Sequence, residues 1–199
     1  MSNYTNQEKV QDYMGENIPS SIADAILTSW FLSVDNWIEN YTNRKFKDIA
    51  SDTKYYDTHG GKEIYIDDFE GDPTEVTTLD NDGDDDQTLT VDDDYRTYPW
   101  NETVKNRLVL IEGNNRIGYW PKGEYRLKVT ANFAMTTAPA DIVLVATKLM
   151  AAILQKNMKG GPTVAEKVGD VAFTYGKIDE VAEAMGVYNT LNQYRVPVL

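Results

Sequence analysis

RLVLIEG at residues 107–113, GYWPKG at 118–123, EYRLKVTANF at 124–133 and APADI at 138–142 decide how this chain folds. The first and third runs place Leu, Val, Thr and Tyr at the period of strands on a sheet, and GYWPKG carries the glycines and proline of a turn between them. Pro139 and Asp141 then suit the first turn of a helix, where a missing N–H goes unnoticed and a carboxylate meets the positive end of the dipole. Ile142, Val145, Leu149, Ala152 and Ile153 form its buried stripe, and Gly160 and Gly161 stop it. From the PWNET run at 99–103 through Leu154 the pattern is two strands beside a long helix. It is a scaffold containing neither a nucleophile nor a cluster of metal ligands.

Upstream, residues 5–14 predict a short helix, with Thr5 and Glu8 at capping-box spacing and Gly15 at its end. Ser21 and Asp24 repeat that spacing ahead of a stronger helix whose apolar face is Ile22, Ile26, Leu27, Trp30, Phe31, Val34, Trp37, Ile38 and Tyr41, ending near Asn43 and Arg44. Between the helices, residues 54–57, 63–66, 74–79, 87–91, 95–98, 107–112 and 124–133 read as an antiparallel meander of five to seven strands, with a hairpin turn at His59, Gly60, Gly61 and Lys62. The expected fold is α+β. The helices of 21–41 and 141–155 pack together, with Trp30, Trp37 and Ile38 against Ile142, Val145 and Leu149, and the meander is inserted between them in sequence.

Gly160, Gly161 and Pro162 make the best linker. They divide the chain into a helical core at 1–162, with its β insertion at about 50–133, and a C-terminal arm at 163–199. In the arm, Val171, Phe173 and Tyr175 alternate as in a strand, and Val181, Met185, Val187, Tyr188, Leu191 and Tyr194 follow a helical pattern interrupted by Gly186. A strand beyond a flexible joint suits addition to a partner's sheet edge, which makes the arm the expected docking element.

Composition narrows the function. The 199 residues carry a formal charge of −13, so a basic groove that neutralises phosphates is disfavoured. An acidic surface instead lets DNA slide past without sticking, or simply keeps a protein soluble. No run of about 18 apolar residues exists, and residues 1–10 are polar without a hydrophobic signal core, so neither membrane insertion nor secretion is indicated. The absence of cysteine excludes thiolate chemistry and suits a reducing cytoplasm.

Asp80, Asp82 and Asp84 alternate like ligands of a calcium loop. Counted from Asp80, however, Asp85 stands where glycine is needed and Val91 where a bidentate glutamate is needed. The flanks read as strands, so 80–86 predicts a hairpin turn, for which Asp, Asn and Gly are suited. His59 is the only histidine, which prevents a multi-histidine metal site or a His-activated nucleophile within one chain. Acid pairs such as Asp67 with Asp68, or those at 92–94, signify little in so acidic a chain. No lysine-bearing phosphate loop is present. The sequence therefore predicts no enzyme, cofactor or metal. Trp100, Trp120, Tyr55, Tyr56, Tyr65, Tyr95, Tyr98 and Tyr119 fit core packing, a protein interface or a sugar-stacking face, and the last would make this a carbohydrate or host-surface binding module of a tail or baseplate.

Three blocks carry a resemblance. Val34 through Phe46, VDNWIENYTNRKF, is similar to a segment A-x-x-x-I-E-x-Y-T-x-R-x-F. LKVTANFA at 127–134 and APADI at 138–142 with Ala146 follow patterns similar to V-x-V-T-A-x-W-G and V-P-x-D-I-x-x-A, with Phe133 and Ala134 replacing the aromatic–glycine pair. KVGDVAFTY at 167–175 and LNQYR at 191–195 resemble G-D-x-x-x-x-Y and a closing L-x-x-Y-R. In this order they resemble the head–tail connector (adaptor) proteins of long-tailed bacteriophages. That resemblance implies a structural protein of the virion neck, assembled in the host bacterial cytoplasm as a ring, a dodecamer in the virion. The ring joins the portal to a head-completion (stopper) or tail-completion protein, and genomic DNA passes through it without sequence-specific binding. It also implies that Gly169, Asp170, Val171, Phe173, Tyr175, Leu191, Tyr194 and Arg195 meet the partner.

Overall fold

The computed structural model describes residues 4–113, 117–158 and 175–196. The chain forms two compact units, one of Met1–Lys47 with Thr137–Leu199 and the other of Asp48–Thr136.

The first unit contains α1 (Gln7–Met14), α2 (Asp24–Thr42), α3 (Ala140–Met158), α4 (Tyr175–Ala184) and the short α5 (Tyr188–Leu191). α3 packs against each of the others. It buries Ile142, Val145, Ala146, Thr147, Leu149, Met150, Ala151, Ile153 and Leu154, which is more than one stripe. α2 buries Leu27, Trp30, Phe31, Val34, Trp37 and Ile38 as its spacing predicts, and Asn43 ends it in the left-handed region at φ 53°. Its start differs from expectation. A turn closed by Ile22 N–H donating to the Pro19 carbonyl at 3.1 Å takes up the preceding residues. The helix therefore begins after Ala23, with no side-chain cap, and Ile26 is left exposed. Likewise α1 is capped by Asn6, whose side chain accepts from Lys9 N–H at 2.9 Å. Thr5 is instead buried, with its hydroxyl 2.7 Å from that of Thr147.

The second unit is a six-stranded antiparallel sheet of β1 (Ala50–Thr58), β2 (Glu63–Leu79), β3 (Asp85–Leu89), β4 (Tyr95–Tyr98), β5 (Val104–Leu110) and β6 (Gly123–Phe133). The strand order is β1-β6-β2-β5-β4, with β3 paired to β2. The α+β class is as expected, but β6 lies between β1 and β2. The connection at 59–62 therefore passes from one side of β6 to the other and closes no hairpin. Segments 63–66 and 74–79, read as separate strands because of Gly71 and Pro73, belong to one long β2 whose register shifts between Glu70 and Glu75. The extra residues are absorbed as a bulge, with Gly71 at φ 74°. Ile64, Phe69, Val76, Leu108, Leu127, Val129, Tyr95 and Trp120 fill the core of this unit.

The turn joining β2 to β3 is the acidic run. Asp80 organises it, its carboxylate accepting from the backbone N–H groups of Asp82 at 2.9 Å and Asp84 at 3.0 Å, with Gly83 at φ 87°. Asp85 pairs with Lys128 at 2.7 Å, and Asp86 accepts from the Thr78 hydroxyl. The carboxylates of Asp82 and Asp84 meet no donor among the described residues. Asp82→Asn with Asp84→Asn should therefore shift stability by no more than about 0.5 kcal/mol, as for other surface changes. Millimolar calcium should leave the melting temperature of parent and variant unchanged. A calcium-dependent rise in the parent that the variant lacks would show a bound cation.

Candidate interaction surface

The C-terminal residues of the described chain gather on the last turns of α2. Trp37 and Tyr41, one helical turn apart, stack with ring centroids 5.6 Å apart, and Tyr188 packs against both at 5.8 and 5.0 Å. Asp179 of α4 ties the cluster together, accepting from Trp37 Nε1 at 2.9 Å and from the Tyr188 hydroxyl at 3.1 Å. The Tyr41 hydroxyl donates to Asn192 Oδ1 at 2.7 Å, and the Arg195 guanidinium lies 5.4 Å from the Tyr41 ring centroid. The backbone completes the seam. Val196 N–H donates to the Thr42 carbonyl at 2.9 Å, and Asn43 Nδ2 donates to the Val196 carbonyl at the same distance. Below it, Phe46 is fully buried between Tyr194 at 5.5 Å and Tyr4 at 6.0 Å. The Tyr4 hydroxyl donates to Glu39 at 2.6 Å.

Electrostatics reinforce these contacts. Burial, then the hydrogen bond to Asp179, pushes the Tyr188 phenol up to about 12. Burial first, then donation to Glu39, raises the Tyr4 phenol well above the usual tyrosine range. Both phenols are thus held neutral as hydrogen-bond donors.

Of the residues expected to meet a partner, Gly169, Asp170, Val171 and Phe173 lie outside the described residues, as does most of the strand expected at 170–175. Tyr175 opens α4. Leu191 is fully buried within the helical unit, where it packs, while Tyr194 is half-buried and Arg195 exposed. Residues 175–196 pack on α2 and α3 through Ile178, Ala182, Val187 and Leu191. Tyr188, Asp179 and Asn192 were missed as partners of α2. Trp37 and Tyr41 at i, i+4 are the available signal, but the sequence pattern sets Trp37 against α3 and gives Tyr41, on the same apolar face, no partner of its own.

Tyr, Trp and Arg at a partly exposed seam are residue types that protein interfaces favour. Among the described residues, no group of three or more His, Asp or Glu is arranged to hold a metal ion, and no helix is long and apolar enough to cross a membrane. His59 is exposed in the turn after β1. On the β unit, Trp120 and Tyr95 are core residues at 1% exposure, which removes them from any sugar-stacking face.

No family model and no curated protein matches the sequence. Among solved structures, the fold is similar to a chain in the neck of an empty gene transfer agent particle computed with C6 symmetry. The TM-score is 0.52 at 14% identity, over 96% of this chain and 90% of that one. A chain from the virion of a native gene transfer agent particle aligns with a TM-score of 0.48 at 16% identity, over the same shares of the two chains. The first likeness shows a shared fold along nearly the whole length.

Trp37→Ala should cost about 3–5 kcal/mol in urea unfolding of the full chain, because it empties a large buried site and leaves Asp179 with the Tyr188 hydroxyl as its remaining donor. A loss below about 1 kcal/mol would place Trp37 outside the core. Tyr188 gives a pH signature. Its pKa is raised from 10.0 to about 12 on folding, so its stabilising contribution is complete below pH 10 and lost as pH rises through 12. Between these limits the melting temperature of the parent should fall more steeply than that of Tyr188→Phe, and parallel curves would contradict the assignment.

Proposed function

We propose that this chain is a structural, non-enzymatic protein of the neck of a phage-like particle. Its role is that of a head–tail connector: a ring beneath the portal, joining the DNA-filled head to a stopper or tail-completion protein and lining part of the DNA channel. The observation that carries this proposal is the near full-length fold likeness to a chain of a gene transfer agent neck. The connector-like blocks at 34–46, 127–146 and 167–195 support it in order and spacing. A dodecameric ring agrees with the sixfold symmetry applied to that neck, and heterologous contacts are the physical means of closing such a ring. The charge supports it further. The β unit holds 20 acidic against 9 basic residues, a net −11 of the total −13, and such a surface repels passing DNA.

In this proposal Gly169, Asp170, Val171, Phe173, Tyr175, Tyr194 and Arg195 contact the portal, while Leu191 supports them by packing. Because 175–196 contributes to the core, point changes test the contact more cleanly than truncation. Full-length protein should gain mass with purified portal in native mass measurements. Phe173→Asp with Arg195→Glu should abolish that gain in a variant that still melts cooperatively. Undiminished portal binding by a folded double variant would remove the docking assignment, and a parent indifferent to portal would remove the connector role.

A further inference from the structure

We propose that the outward face of β2, β5 and β4 receives the acidic β2–β3 hairpin of a second copy of this chain, a proposal that rests on the ring assembly above. Strand alternation buries Ile64, Leu108 and Tyr95 and turns Tyr65, Arg107 and Tyr98 outward, where register sets them in one row across three strands. The Arg107 guanidinium lies between two rings, 5.4 Å from the Tyr65 centroid and 5.2 Å from Tyr98, and Glu63 holds it at 2.9 Å. The row continues through Trp100, 5.9 Å from Tyr98, over which Arg96 sits at 5.2 Å. Lys105 fixes the loop carrying the tryptophan by donating to the Trp100 carbonyl at 2.9 Å.

These rings are nevertheless open to solvent, Trp100 at 55% and Tyr65 at 51%. Side chains already held in place lose little rotamer freedom on binding, and Trp, Tyr and Arg dominate the energetic centres of interfaces. Arg96 has no carboxylate partner among the described residues, although its unit is rich in acid.

The complement is on the same chain. Asp82 and Asp84 project from the hairpin with unpartnered carboxylates, while Asp80, Asp85 and Asp86 are engaged internally. Tyr65 lies near the start of β2 and the hairpin at its end, up to about 45 Å apart along a straight strand. Complementary patches at opposite ends of one long strand meet head to tail between copies, a heterologous contact whose repetition closes a ring.

The chain has no cysteine, so introduced thiols report without background. Full-length Asp82→Cys mixed with full-length Asn101→Cys, which puts the thiol on the exposed residue beside Trp100, should yield under mild oxidation, free and with portal, a cross-linked pair of about 45 kDa, twice the 22.5 kDa chain. Asp82→Cys with Ser51→Cys on exposed β1 should not. Adding Arg96→Glu to the Asn101→Cys chain should reduce cross-linking about tenfold or more, and Asp84→Lys on the hairpin chain should restore it. Rings that form normally while cross-linking matches the Ser51 control, or ignores the charge swap, would overturn this contact and leave the connector role standing. Absence of any assembly with portal would overturn both. If Arg96→Glu instead abolishes retention on an oligosaccharide column without altering ring mass, the face belongs to glycans and the proposal falls.

Discussion

α3 has more apolar surface than one neighbour can cover, and the helical unit is arranged around that constraint. A helix with one apolar stripe needs one partner, whereas one apolar on most of its circumference must be surrounded. Ala146, Met150, Ala151 and Leu154 are buried in addition to the stripe of Ile142, Val145, Leu149 and Ile153. α1, α2, α4 and α5 supply the cover. This is the physical reason why residues 175–196 return to the core. Ile178, Ala182, Val187 and Leu191 are buried in the process, and the seam of Trp37, Tyr41, Tyr188 and Asp179 fixes where they sit.

β6 has the corresponding place in the sheet. It pairs with β1 along one edge and β2 along the other, and Leu127, Val129 and Ala131 are fully buried between them. β2 in turn changes partner along its length, meeting β5 through Glu63–Glu70 and β3 through Val76–Leu79, with the bulge between. The bulge lets a single strand serve two neighbours on the same side. It also separates the β2–β3 hairpin from the aromatic row near the start of the strand.

What could be read from the sequence follows the range of the interaction concerned. Strand and helix periods are local, so β4 at Tyr95–Tyr98 and the buried face of α2 were legible. So was the end of α2, because Asn tolerates the left-handed conformation. Strand order was not, because the pairing of Ala50 with Phe133 spans the whole insertion and leaves no local mark. Gly71 and Pro73 looked like a break because both usually end strands, yet a bulge accommodates them. Asn6 took the cap from Thr5 because the Thr5 hydroxyl found a buried partner in Thr147, a contact no capping pattern can reveal. At the candidate surface, Tyr194 and Arg195 were legible as residue types. Their anchorage on Tyr41 and Phe46 was not, since it depends on the C-terminal chain returning across 150 residues of sequence.

The two units divide the physical work. The helical unit is nearly neutral, with 12 acidic and 10 basic residues, and its stability comes from the burial that α3 enforces. The β unit holds almost all the excess acid, so copies brought together repel one another over most of this surface. Association then requires that repulsion be overcome at defined points, and the few bases on the unit become decisive. Lys128 is committed to Glu75 and Asp85, Lys54 to Asp67, and Arg107 to Glu63. Arg96, beside exposed Trp100, has its charge uncommitted within the described chain. An acidic surface with one aromatic–arginine spot excludes most encounters and admits those that present carboxylates to that spot. In the proposed ring, such a spot would let a subunit find one orientation among its copies against the general repulsion.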